Sequence, residues 1–250
     1  MKLPRGAAGE KEKRQWQRFL QSAIDEELVN HTGLELINRQ FARLDEHEHN
    51  VTVSTFSLSN SPCLNVWYRL FDPSHGLEEF GGELAWYKDY SPDEDHPVIY
   101  LSWFDAWASA VWFRWKEESC QLPRESQWEY ACKFETRWDW NYWWGDEFDS
   151  EKANAENSLG KTSPPNPKHA NNLGLMDLHG NVLEWCMDHY REKHDATVDD
   201  SRGSTERSRV LRGGSFDVNA VGCRSSFRNS RLPSVAVQVS GVRFARARKS

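Results

Sequence analysis

The sequence lacks any run of about 18 consecutive apolar residues, the length that a membrane-spanning helix needs. Residues 1–19, MKLPRGAAGEKEKRQWQRF, also lack the apolar stretch of a secretory signal. We therefore expect no insertion into a membrane and, by default, a cytoplasmic location.

Cysteine is scarce and shows no pairing pattern. The 5 cysteines are odd in number and none forms a CxxC pair. Neither a disulfide framework nor a zinc site is indicated. We expect reduced thiols that are mostly buried.

The chain also lacks an excess of basic charge. It has 38 acidic and 31 basic side chains, a net charge of -7, which repels a phosphate backbone unless basic residues cluster. The one basic cluster is the tail RFARARKS, which a solvated terminus explains more simply. No nucleic-acid partner is expected.

Aromatic residues, in contrast, are abundant. They make up 13% of the 250 residues and include 13 tryptophans, a composition typical of a folded domain with a substantial core. Apolar residues recur near a period of 3.6 from residue 10 to residue 44, which predicts an N-terminal helical segment within residues 1–50. Alternation over residues 51–58 predicts a strand, so a core domain is expected over residues 51–250.

Two further helices are predicted. One begins at Ser102, an N-cap residue with Asp105 in the capping-box position, and runs to Phe113. The other covers residues 123–132, with Pro123 in its first turn. Residues 138–209 are rich in Asn, Gly, Pro and Trp, which indicates a long ordered loop region.

Several motifs resemble one family. They are "LPRESQWEYACK", "YWWGDE", "NNLGLMDLHGNVLEWCMDHY" and "RVLRGGSF…CRSSFRNSRLP…SGVRFA", and they follow the order of the formylglycine-generating-enzyme (sulfatase-modifying factor) domain family over roughly residues 56–247. The resemblance implies an α+β, C-type-lectin-like fold with a small twisted antiparallel sheet, two helices and extensive ordered loops.

The catalytic groups of that family do not carry over. Its oxidase members bind copper with two cysteines, whose positions align with Val218 and Cys223, and one thiolate cannot make that site. Iron-dependent relatives use a histidine-rich helical domain, whereas His31, His47 and His49 offer no pair four residues apart. No nucleophile elbow of the GxSxG type is present. We expect no copper, no iron and no catalytic residue.

The stretch from Arg212 to Arg243 aligns without a gap to the family pattern, which is rich in Asn, and departs from it mainly at the Asn positions. We call the positions that match this pattern the frame and the positions that depart from it the filling. The pattern resembles the variable protein of a diversity-generating retroelement, with a variable region over residues 211–245. The predicted ligand-binding positions are the filling and one aromatic anchor: Phe216, Asp217, Val218, Val221, Gly222, Ser230, Arg231, Leu232, Val235, Val237, Gln238 and Val239.

Two structural roles are predicted within this stretch. The frame arginines Arg212, Arg224, Arg228 and Arg243 have planar donors suited to holding loop carbonyls and carboxylates. Gly213, Gly214 and Gly241 would allow positive φ or close backbone approach. A competing interpretation is that residues 235–239 form a half-buried strand with its valines inward.

The segment "MDLHGNVLEW" is a candidate metal site. In similar domains calcium is held by side chains at the positions of Asp177 and Glu184 and by the carbonyls of Gly180 and Val182. The alternative is a hydrogen-bonded turn in which Glu184 accepts backbone N–H groups.

These features predict a non-enzymatic protein that presents a hypervariable surface to a protein or another macromolecular ligand. Two alternatives stay open. One is a modifying enzyme similar to the oxidases with a non-standard site, and the other is a structural or regulatory domain without a variable surface.

Overall fold

The computed structural model describes residues 34–37, 50–76, 84–116, 120–155, 159–191 and 208–247. In chain order the elements are β1 (Leu34–Ile37), β2 (Asn50–Val53), β3 (Phe56–Leu58), α1 (Asn65–Tyr68), α2 (Leu84–Tyr90), α3 (Trp103–Lys116), β4 (Cys120–Gln121), α4 (Glu125–Cys132), β5 (Leu183–His189), β6 (Arg209–Arg212), β7 (Asn229–Arg231), β8 (Ser240–Gly241) and β9 (Ala245–Ala247), with 3-10 helices at Pro167–His169 and Ala220–Cys223. The α+β class is confirmed.

The N-terminal prediction is partly wrong. Leu34–Ile37 form β1, which pairs antiparallel with β2, so these residues are not helical. The rest of the predicted helical segment up to residue 49 lies outside the described residues. The strand prediction for residues 51–58 is confirmed as two strands, β2 and β3, separated by residues 54–55.

The central sheet has the strand order β7-β6-β5-β8. Strands β5 and β6 are antiparallel, with Glu184 opposite Arg212, but β8 pairs with β5 in parallel through Leu183 and Ser240. The sheet is thus antiparallel, as expected, apart from this short parallel pair at its edge. A second sheet has the order β3-β9-β4, which places β9 between two strands from much earlier in the chain.

The two long helices begin close to their predicted positions. In α3 the Asp105 carboxylate accepts from the Ser102 N–H at 3.0 Å, and the Asp105 N–H donates to the Ser102 hydroxyl at 3.2 Å, which confirms the capping box. The N-cap of α4 is Arg124, so Pro123 precedes the helix and does not lie in its first turn. Among the residues described, no helix combines the length and apolar character needed to cross a membrane.

The core lies on both faces of the central sheet. Trp185, Leu211 and Phe244 pack in one buried cluster, while Trp128 and Leu178 belong to another. Both clusters take residues from the loops as well as from the helices and strands. The loops are therefore fixed parts of the fold, and they carry the candidate site.

Candidate binding surface

Arg212, at the end of β6, holds the loop that follows the short 3-10 helix. Its side chain is fully buried and donates to three successive carbonyls, those of Ser225 at 2.9 Å, Ser226 at 3.1 Å and Phe227 at 3.0 Å. It also donates to the Glu129 carboxylate at 2.5 Å. One guanidinium thus fixes the backbone path of a segment between two groups of filling positions.

Arg228 ties the same segment to α4. Its Nε and Nη2 atoms donate to the two oxygens of Glu125 at 2.6 and 2.9 Å, and its Nη1 donates to the Arg191 carbonyl at 2.7 Å. Arg224 donates to the carbonyl of Val221 at 3.2 Å and is buried as well. The structural role predicted for the frame arginines agrees with these contacts.

Arg243 closes the frame at its C-terminal end. It donates to the Ser59 carbonyl at 2.8 Å, to the Met176 carbonyl at 2.7 Å and to both oxygens of Glu184. Because these partners lie far apart in the sequence, this side chain joins β5 to two loops.

The frame glycines are required by the backbone. Gly213 and Gly214 have φ of +98° and +75°. A Cβ atom on Gly214 would also lie 2.6 Å from the Cys223 sulfur. Gly241 needs its hydrogen for a different reason, because a Cβ there would lie 2.7 Å from the Val98 carbonyl oxygen.

Most filling side chains reach solvent. Asp217, Val221, Arg231 and Leu232 are exposed, with Leu232 at 48% of its maximal area. The half-buried filling positions are Val218, Ser230, Val235, Val237 and Gln238. A group of exposed apolar side chains is typical of an interaction surface.

Three predicted positions are buried, and their assignment to the surface is wrong. Phe216 stacks on Tyr90 with ring centroids 5.7 Å apart. Val239 belongs to the core, where its carbonyl accepts from the Leu183 N–H at 2.8 Å. Gly222 is covered by Val218, whose Cγ2 atom would lie 3.2 Å from a Cβ at that position.

Residues 235–239 do not form a strand. They form a loop between two turns, in which the Val235 N–H donates to the Leu232 carbonyl at 3.0 Å and the Ser240 N–H donates to the Val237 carbonyl at 3.0 Å. Val239 is the only buried residue of the three valines, and Val235 and Val237 are half-buried. The competing strand interpretation is therefore wrong for this segment.

Sequence reasoning missed a second exposed apolar group on α3. Phe104, Trp107 and Val111 are 44%, 42% and 44% exposed and lie three and four residues apart, which places them on one helix face. The Trp103 N–H donates to the Pro233 carbonyl at 3.1 Å, so the start of α3 touches the loop that carries Leu232. A helix with apolar residues on most of its faces usually predicts burial, so no signal in the sequence distinguished this exposed face.

The copper-binding positions of the oxidases do not form a thiolate pair here. Cys223 is fully buried beside Tyr142, and burial raises the pKa of its thiol to about 12. Val218 packs against the same cluster. A neutral thiol next to a valine does not fit a copper ion, which needs soft anionic ligands.

Glu184, predicted to bind calcium, already has strong partners. The Trp128 indole N–H donates to its Oε2 at 2.6 Å, and Arg243 donates to both of its oxygens at 2.8–3.1 Å. An ion at this carboxylate would have to displace a buried cation. The contacts do not fit calcium and favour the hydrogen-bonded alternative, with side chains as donors in place of backbone N–H groups.

Asp177 also has a different partner. Its Oδ1 lies 2.5 Å from Nδ1 of His169, and its Oδ2 accepts from the Asn181 amide at 3.3 Å. Gly180 and Val182, whose carbonyls were expected to complete the site, are buried. The two carboxylates therefore act in separate networks.

Comparison with known proteins places these features in a family. Residues 14–248 match the sulfatase-modifying factor enzyme 1-like domain. The formylglycine-generating enzyme of Streptomyces coelicolor is 33% identical over 178 residues, which cover 63% of this chain and 54% of that enzyme. The serine/threonine-protein kinase Pkn1 of Chlamydia trachomatis is 30% identical over 220 residues, which cover 79% of this chain and 34% of the kinase. The chain thus spans about a third to a half of the length of these relatives.

A solved structure shares the fold. Treponema denticola variable protein 1 superposes with a TM-score of 0.69 at 22% identity, covering 87% of this chain and 94% of the other. The expected C-type-lectin-like fold of the formylglycine-generating-enzyme type is confirmed. With its motifs, its frame arginines and a match over residues 14–248, the chain belongs to the sulfatase-modifying factor enzyme 1-like domain family.

Proposed function

We propose that this protein binds a macromolecular ligand, without catalysis, through a hypervariable surface carried by the loops between β6 and β8. The observation that carries the proposal is the difference in burial and hydrogen bonding between frame and filling residues within residues 212–243. The frame arginines are buried and donate to backbone carbonyls, and Arg212, Arg228 and Arg243 also donate to carboxylates outside the stretch. Of the eleven filling residues, in contrast, four are exposed and five are half-buried. Such a surface can change its chemistry while the backbone stays in place.

The composition of the surface suits a protein ligand. Leu232 and Val221 supply apolar area, and Arg231 supplies a planar donor group at an exposed position. Trp107 and Phe104 on α3 extend the apolar area beside the loop. Aromatic residues and arginine dominate the energetics of protein interfaces.

The fold shared with Treponema denticola variable protein 1 is consistent with this role, because that protein is named for its variability. The alignment of the filling with Asn positions of the family points the same way. A near-copy of the codons for residues 211–243, with adenines at the differing positions and a reverse transcriptase gene beside it, would support diversification by a retroelement.

A library experiment tests the proposal. Six filling positions are randomised together, and the variants are displayed and sorted for protease resistance and then for binding to a panel of unrelated proteins. The randomised positions are Asp217, Val221, Arg231, Leu232, Val235 and Gln238. We expect most variants to stay folded, because four of the six positions are exposed and the other two, Val235 and Gln238, are half-buried. Substitutions at exposed sites change stability by about ±0.5 kcal/mol each. We also expect binders to several panel members.

The control library randomises the same number of exposed positions elsewhere on the chain. These are Lys88, Asp89, Arg137, Asp146, Glu147 and Glu151. It should stay folded but yield few binders. If the filling library unfolds, or yields no more binders than the control, the display surface is the wrong account.

An oxidase remains the second candidate, because the Streptomyces coelicolor enzyme that is 33% identical is a formylglycine-generating enzyme. The test is incubation with Cu(I) and a sulfatase-type cysteine peptide, followed by mass spectrometry of the peptide. We expect no formylglycine, since Val218 replaces one of the two copper-binding cysteines. Turnover that disappears in Cys223→Ser would establish the enzyme instead.

A further inference from the structure

We propose that Asp93, Asp95 and His96 bind a divalent transition-metal ion of the zinc class. One ligand atom from each residue lies within 4.8 Å of the others, in the loop between α2 and α3. Both aspartates are exposed, whereas His96 is only 6% exposed. The group thus joins a buried, hydrogen-bonded imidazole to two solvent-exposed carboxylates.

The backbone of this loop is held in place by α1. The Asn65 N–H donates to the His96 carbonyl at 2.9 Å, and the Val66 N–H donates to the Glu94 carbonyl at 3.0 Å. The Asn65 amide also donates to the Asp93 carbonyl at 2.8 Å. Binding an ion would therefore require ordering of two aspartate side chains but little reorganisation of the main chain.

Hydrogen bonding fixes the tautomer of His96. Its Nδ1 lies 2.8 Å from the Thr162 hydroxyl oxygen, and that hydroxyl donates to the Tyr90 carbonyl at 2.7 Å. Since the carbonyl can only accept, the hydroxyl proton is used there, and Nδ1 must carry the hydrogen that bonds to Thr162. Nε2 is then left with a lone pair, which is the form of histidine that binds metals.

That lone pair faces negative charge. Nε2 of His96 lies 3.9 Å from Oδ2 of Asp93, and the Asp95 carboxylate belongs to the same group. Glu94, between the two aspartates, points its carboxylate to Arg69 instead. A cation bound at this point would be attracted by the lone pair and by both carboxylates.

The neutral imidazole is also the favoured form. Burial lowers the pKa of His96, and the charge of Lys161 acts in the same direction, against the opposite effect of Asp95 and Asp93. Metal binding therefore does not have to displace a proton from a strongly basic group.

The donor set selects the class of ion. One imidazole nitrogen and two carboxylate oxygens suit zinc and its neighbours, whereas calcium and magnesium prefer oxygen alone. Two ligands bound at about 2.1 Å in tetrahedral geometry are about 3.4 Å apart, so Asp93 needs to close by about 0.5 Å. Its side chain is 73% exposed and can make that movement. The remaining coordination positions would be open to water.

Calorimetric titration with Zn²⁺ tests the site. The background is His47→Ala/His49→Ala, which removes the two histidines of the segment "HEH" as competing ligands. We expect Asp93→Asn/Asp95→Asn in this background to bind one ion fewer, or to bind it at least tenfold more weakly. The matched control is Glu147→Gln/Glu151→Gln, which removes the same charge from exposed positions and should bind as the background does.

Two further measurements keep the outcome clear. Thermal unfolding in the presence of a chelator should give equal midpoints for both double variants, because the substituted side chains are exposed. Titration with Ca²⁺ should give no saturable binding at this site. Zn²⁺ stoichiometry and affinity that are the same with and without the two aspartates would overturn the proposal.

Discussion

Arg243 and Glu184 form an ion pair that is almost fully excluded from water, with 0% and 1% of the side chains exposed. Two buried charges are costly unless their remaining donors and acceptors are satisfied. Here the guanidinium also reaches two backbone carbonyls, and the carboxylate also accepts from Trp128. The pair is thus part of a satisfied network, in which removing one charge leaves the other buried without its counter-ion.

Arg243→Ala should lower the free energy of unfolding by about 3–5 kcal/mol, because the Glu184 charge stays buried without its partner. Arg231→Ala, an exposed filling position, should change it by less than about 0.5 kcal/mol. Urea denaturation followed by tryptophan fluorescence measures both. Equal effects of the two substitutions would show that the frame has no special structural role.

Calcium should have no effect on stability through Glu184. An ion that binds only the native state raises the unfolding temperature by mass action. Since Arg243 and Trp128 already occupy both oxygens of this carboxylate, we expect equal unfolding midpoints in millimolar calcium and in chelator. A higher midpoint with calcium that is lost in Asp177→Asn would instead establish the site that the resemblance implies.

At the scale of single elements, the start of α3 has a reciprocal cap. The Ser102 hydroxyl accepts from the Asp105 N–H at 3.2 Å and donates to its carboxylate at 2.5 Å. Ser102→Ala should cost about 1 kcal/mol of stability. Asp105→Ala should cost a similar amount, and the double variant less than the sum, because the two residues share one network. Thermal unfolding of the three variants gives the coupling directly, and strict additivity would contradict it.

Local signals in the sequence predicted the elements that depend on neighbouring residues. The cap of α3, the two long helices and the positive φ of Gly213 and Gly214 are all set by sterics and hydrogen bonds within a few residues. Leu34–Ile37 were predicted to be helical but form β1, because this strand depends on pairing with β2 and not on neighbouring residues alone. Apolar spacing in a short segment cannot distinguish the two.

Burial in the variable stretch was predictable only in part, for the same reason. Phe216 is buried because its ring stacks on that of Tyr90, which is far away in the sequence. Val239 is buried by the packing of its loop on the main core. The exposed face of α3 was not expected, since apolar residues usually indicate contact with the core. For Phe216 and Val239 the deciding partners are distant in the chain.

At the scale of the whole molecule, His179 joins three distant segments. Its Nδ1 lies 2.7 Å from the Cys223 carbonyl oxygen, and the backbone N–H of Trp143 donates to its Nε2 at 3.2 Å. Nε2 is therefore an acceptor and Nδ1 a donor. Protonation would place a second N–H against the Trp143 N–H. Burial, the main cause, lowers the pKa of His179 from 6.5 to about 4.

This shift makes stability depend on pH in a defined window. Above pH 6.5 the histidine is neutral in both the folded and the unfolded chain and has no effect. Between pH 6.5 and pH 4 the unfolded chain binds the proton and the folded chain does not. The free energy of unfolding therefore decreases as the pH is lowered through this range. At pH 5 the loss from this group is about 2 kcal/mol. Below pH 4 both states are protonated and the loss is constant.

His179→Asn should therefore lose less stability than the wild type between pH 7 and pH 5, by about 2 kcal/mol. Urea denaturation at several pH values within this range measures the difference. The contributions of carboxylates that titrate in both proteins cancel when the two curves are subtracted. Cys132→Ala is the control, because its thiol lies 3.5 Å from His179 and has a pKa raised to about 12 by burial. That variant should be less stable at every pH while keeping the wild-type slope. Parallel curves for His179→Asn and the wild type would show that the buried imidazole does not set the acid sensitivity of the fold.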